Sequence, residues 1–92
     1  MNLLQRIKEE LSYLPPKDKK LCEQFLKDRE FNNILDIVSS CIVMKTRDNM
    51  KESHSAKWET INLDNLEKLR LDVEEYMDYG RFPEDIDEYN YY

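Results

Sequence analysis

One glycine in 92 residues, Gly80, is the strongest constraint on what this chain can fold into. Hairpins and barrels lean on glycine for positive-φ turns, so a strand-rich fold has almost no means of reversing direction here. The apolar residues instead follow helical spacing. Leu3, Leu4, Ile7, Leu11 and Leu14 recur at intervals of three and four, one face of a helix over 2–14 with Asn2 as its N-cap. Pro15-Pro16 ends that helix, because the residue before a proline is pushed out of the α region. Proline is accommodated in a first turn, so a second helix follows at once over 16–28. Asp18 sits near its positive end, and Leu21, Cys22, Phe25 and Leu26 form its apolar face.

A tight break at Asp28-Arg29, or a kink in one continuous helix from Pro16 to Thr46, leads into a third helix over 30–46. Its main face is Phe31, Ile34, Leu35, Val38, Cys41 and Ile42, widened by Ile37 and Met44. A face that broad calls for more than one neighbour, so this helix is the central element. Residues 47–61 lose the period and read as a long polar loop anchored by Trp58 and Ile61. Asn62 or Asp64 then caps a fourth helix over 62–79, turned inward through Leu66, Leu69, Val73, Tyr76 and Met77. Gly80 and Pro83 stop it. The predicted fold is all-α: a small bundle of three to four helices over 1–80, followed by an acidic, Tyr-rich tail over 81–92.

Charge is distributed as unevenly as glycine. From Asp72 to Tyr92 there are eight acids against the single base Arg81, so this stretch is −7 where the first 71 residues are +1, and five of the six tyrosines lie in it. Glu74, Glu75 and Asp78 fall at the negative end of the fourth helix's macrodipole. Each costs ~0.3–1 kcal/mol there where exposed, so local stability did not select them. Leu71 lies about 160 degrees from the centre of the inward face and points outward. Beyond the helix, Phe82, Ile86, Tyr89, Tyr91 and Tyr92 give the tail more apolar surface than a plain solubilising terminus carries. Aromatics concentrate at interface hot spots, and acids steer a basic partner inward. The predicted partner-binding set is Leu71, Glu74, Glu75, Asp78, Tyr79, Phe82, Asp85, Ile86, Tyr89, Tyr91 and Tyr92. A second use of the tail is intramolecular, folding onto the basic concentration of Lys17, Lys19, Lys20, Lys27 and Arg29.

Catalytic signatures are lacking. The lone histidine, His54, falls in the polar loop, and zinc would require three or four ligands at recognisable spacing. Phosphate and dinucleotide loops need several glycines. Pro83 to Tyr92 lacks the twelve-residue calcium pattern with its central glycine. No enzyme, cofactor or metal site is therefore expected. Cys22 and Cys41 fall on apolar helical faces and read as reduced, buried residues of a cytoplasmic protein. The longest apolar run, Cys41 to Met44, is too short for a membrane span, and Met1 to Arg6 turns charged at once, unlike a leader.

Residues with AT-rich codons (Phe, Tyr, Met, Ile, Asn, Lys) number 35 against ten Gly, Ala, Arg and Pro, pointing to an AT-rich genome. In size, acidity and helical character the chain resembles phage accessory proteins, which implies a place in the host cytoplasm or the virion. The expected function is non-enzymatic: an interaction or assembly protein that docks the fourth helix and tail on a larger protein, or on copies of itself. An acidic inhibitor that mimics DNA against a host nucleic-acid-binding enzyme is the alternative. A helical DNA-binding regulator ranks third, because the tail would repel phosphate and no helix is a basic reader.

Overall fold

Asn2 starts the first helix as its N-cap, accepting a hydrogen bond from the Gln5 backbone N–H at 2.8 Å. A computed structural model describes residues 2–53 and 55–79, and these are almost entirely helical. Helix α1 (Leu3–Glu10) tightens into a 3-10 turn (Leu11–Tyr13), rather than staying α-helical to residue 14. The cause is Pro15: Leu14 is extended, with ψ 156°, and the helix winds down ahead of it. Helix α2 (Pro16–Lys27) begins on the second proline. Its buried side is Cys22 and Leu26, while Leu21, placed on the apolar face by the sequence, is exposed.

The break between the second and third helices is a C-cap rather than a kink. Arg29 takes the left-handed conformation (φ 60°) that glycine usually occupies. The Glu30 N–H bonds to the Phe25 carbonyl at 2.9 Å, and the Arg29 N–H to the Leu26 carbonyl at 3.2 Å. Arginine in this region costs on the order of 1 kcal/mol. Its guanidinium partly offsets that cost by donating to the hydroxyl of the buried Tyr76 at 3.3 Å.

Helix α3 (Phe31–Asn49) packs on α2 and on α5 (Leu63–Tyr79), as a central element should. It runs three residues past its predicted end, and the stretch read as a loop holds a short helix, α4 (Ala56–Glu59). Asp48 explains the overrun. It continues the buried face of Ile34, Val38 and Cys41, and its carboxylate accepts the Ser55 N–H at 2.9 Å. Trp58 and Ile61 anchor this connection in the core as expected, and Lys45 donates to the Trp58 carbonyl at 2.7 Å. Of the two candidate caps for α5, Asn62 is the one used, accepting from the Asn65 N–H at 3.2 Å.

Helices α3 and α5 are antiparallel, with the Phe31 and Tyr76 rings tilted at 46° and their centroids 4.6 Å apart. Helices α1 and α5 are also antiparallel: Arg6 reaches Asp72 while Glu10 faces Lys68. The start of α1, the end of α2 and the end of α5 therefore share one end of the molecule. No described helix is long and apolar enough to cross a membrane. The division at residue 80 and the tail over 81–92 lie outside the described residues.

Candidate partner-binding surface

Inward-facing Leu66, Leu69, Val73 and Tyr76 fix the rotation of α5, and all four are fully buried. The opposite face must then be solvent-exposed, and Leu71 is 57 % exposed on it. Helical geometry gathers positions 64, 67, 75 and 78 around Leu71 within about 40 degrees at 100 degrees per residue. These positions are Asp64, Glu67, Glu75 and Asp78, every one of them exposed. Glu74 flanks the stripe, half-buried, and takes a 2.8 Å hydrogen bond from Arg70. The stripe is thus a leucine set among acids on a rigid helix.

Of the sequence-predicted residues, Leu71, Glu74, Glu75 and Asp78 come together here, and Tyr79 is the last residue of α5. Phe82, Asp85, Ile86, Tyr89, Tyr91 and Tyr92 lie outside the described residues, as does His54. Asp64 and Glu67 were missed, although their spacing from Leu71 was visible in the sequence. Asp72 belongs to the acidic stretch by position but turns inward. It is buried, and Arg6 grips it through Nε and Nη2, each at 3.2 Å.

Beside Asp72 lies a second buried acid, Glu10. As a carboxylate it would have both oxygens buried without a hydrogen-bond donor, since Lys68 Nζ approaches only to 3.8 Å. As a neutral acid it has a proton to offer the neighbouring Asp72. Burial first, then the hydrogen bond and negative charge of Asp72, hold its pKa up at about 7 against the pull of Lys68 and Arg6. The pair is a structural joint between α1 and α5, where Glu10 faces Lys68 and Asp72 holds Arg6.

Cys22 and Cys41 are buried and unbridged. Burial, then the negative charge of Asp18, pushes both thiols up to about 12, and Cys41 donates to Asp18 at 3.4 Å. Both remain protonated and weakly nucleophilic.

The lysines of α2 do not form one patch. Lys19 pairs with Glu23 at 3.5 Å, whereas Lys27 and Arg29 turn toward α1. There they border a groove of about 490 Å³ with Leu4, Leu11 and Leu26 as its floor and Lys8 and Glu23 completing the lining. Lys8 and Leu4 are additions that only the α1–α2 packing could supply. A smaller groove of about 280 Å³ runs past Ile37 and Met44 of α3 and Trp58 of α4. No family model, curated protein or solved structure matches this chain.

Proposed function

We propose that this is a non-enzymatic interaction protein whose α5 face docks on the basic surface of a larger protein. What carries the reading is the stripe around Leu71: one exposed apolar anchor with Asp64, Glu67, Glu75 and Asp78 about it. Carboxylates of one sign steer a basic partner to the site, and the leucine supplies the dry contact once it arrives. Acids at the negative end of a helix dipole cost stability, which fits selection for binding rather than for folding. The same charge argues against pairing with a second copy, because a two-fold contact would set these acids against themselves. Phe82, Ile86 and the terminal tyrosines extend the reading as further contacts from the residues after α5.

The inhibitor alternative draws on the same stripe. A DNA mimic needs carboxylates on a rigid surface, and four of them stand on α5 itself. The partner would then be a nucleic-acid-binding enzyme that loses DNA on binding this chain. Direct DNA contact is the weakest reading, since among the basic residues around α2 Lys19 is ion-paired while Lys27 and Arg29 line a groove. A phage setting rests on composition alone.

The test compares capture from an extract of the source cell by three full-length chains: wild type, Leu71→Ala/Glu75→Lys/Asp78→Lys, and the α3 control Val43→Ala/Met44→Ala. At least one protein should be held by wild type and control, released by raised salt and lost from the α5 variant. A partner set that the α5 variant leaves unchanged overturns the reading. DNA that competes the partner away favours the mimic.

A further inference from the structure

The groove between α1 and α2 has a chemistry of its own. Its floor is apolar, from Leu4, Leu11 and Leu26, and its cationic lining comes from Lys8, Lys27 and Arg29. The one acid in the lining, Glu23, already shares its charge with Lys19. Lys8 and Lys27 are exposed, and neither forms an ion pair among the described residues. Such a surface fits a peptide that presents apolar side chains on one side and carboxylates between them.

The chain holds a segment of that kind, and the fold delivers it to the groove. In 81–92, Phe82, Ile86 and Tyr89 recur at spacings of four and three, with Glu84, Asp85, Asp87 and Glu88 between them. Helix α5 ends at Tyr79, one turn beyond Tyr76, whose hydroxyl accepts from the Arg29 guanidinium. Arg29 itself lines the groove, and Leu4, at the start of α1, lies at the same end of the molecule. Helix α5 therefore ends on the side of the groove mouth. Twelve residues reach about 40 Å when extended, whereas the floor from Leu4 to Leu11 spans roughly 10 Å. Length is no obstacle, and effective concentration favours an occupant tethered this closely.

We propose that residues 81–92 dock in cis in the α1–α2 groove, with Phe82, Ile86 and Tyr89 on the leucine floor and the intervening carboxylates against Lys8 and Lys27. A partner that takes these aromatics has to draw them out of the groove first. This goes beyond the α5-face reading and does not depend on it, because Leu71 lies outside the groove lining.

A spin label tests the proposal on the full chain. Cys22 and Cys41 are buried with raised thiol pKa values, so a nitroxide reagent selects a new cysteine at Asn90→Cys. Amide signals of Leu4, Lys8 and Lys27 should lose intensity selectively, while those of Val43 and Arg47 on α3 keep theirs. Lys8→Glu/Lys27→Glu in the labelled chain should abolish that loss while preserving the dispersed amide spectrum. Broadening spread evenly over the surface, or unchanged by the charge reversals, overturns the proposal. So does broadening of an unlabelled ¹⁵N chain by a labelled ¹⁴N copy, which would make the occupant a second molecule. None of these results bears on capture through α5, so the two readings fail separately.

Discussion

Glu10 and Asp72 are far apart in the chain, yet both are buried between α1 and α5. The Glu10 pKa of about 7 lies above its ordinary value of 4.5. Between those values the folded chain holds a proton that the unfolded chain has lost. Its stabilising contribution is therefore complete below the ordinary value and is lost as pH rises through about 7. Arg6, Lys68 and Asp72 are the charged groups facing it. We expect wild-type stability to fall by on the order of 2 kcal/mol between about pH 5 and about pH 8 through this group. Glu10→Gln keeps a donor for Asp72 but cannot ionise, so its urea midpoint should lack that component of the slope. Parallel pH profiles for the two chains would show that Glu10 does not hold its proton in the folded chain. The buried acids were half legible in the sequence. Glu10, Asp48 and Asp72 all continue the three-and-four spacing of buried apolar residues, so their faces could be read. Their partners could not, because Arg6 meets Asp72 only through the packing of two helices from opposite ends of the chain.

Among the elements, the clearest departure is the connection between α3 and α5. Polar residues 47–61 conceal two helical pieces, since Asp48 occupies an apolar position of α3 and α4 has only four residues. Trp58 was the readable part, a large aromatic in a polar stretch, and it is 5 % exposed. Truncating it should empty a site bordered by α3, while the backbone carbonyl stays available to Lys45. Trp58→Ala is expected to cost about 3 kcal/mol in urea unfolding, and a loss below about 0.5 kcal/mol, typical of surface sites, would mean that α4 does not seal the core. The helix α5 was read almost to the residue because Asn62, the Leu66–Tyr76 face and Gly80 all mark the same boundaries. The α2–α3 break was visible as a change in pattern, but its form was not, because arginine in a glycine conformation leaves no sequence signal.

On the scale of the whole molecule, the antiparallel arrangement determines which charges meet. It gathers the ends of α1, α2 and α5, so a basic groove opens where an acidic, aromatic segment begins. It also leaves the acidic face of α5 outward, away from Lys8, Lys27 and Arg29. The α5 stripe was partly legible, since Leu71 stood opposite the buried face. The groove was not, because Lys8 and Lys27 adjoin only after α1 folds back on α2. On the proposed reading, a partner sits on the outer face of α5. An amide-shift footprint of the full chain with the captured partner would locate that contact. Asp64, Glu67, Leu71, Glu75 and Asp78 should shift or broaden first, with Val43, Met44 and Arg47 unmoved. A footprint centred on α3, with the α5 signals unmoved, would contradict it.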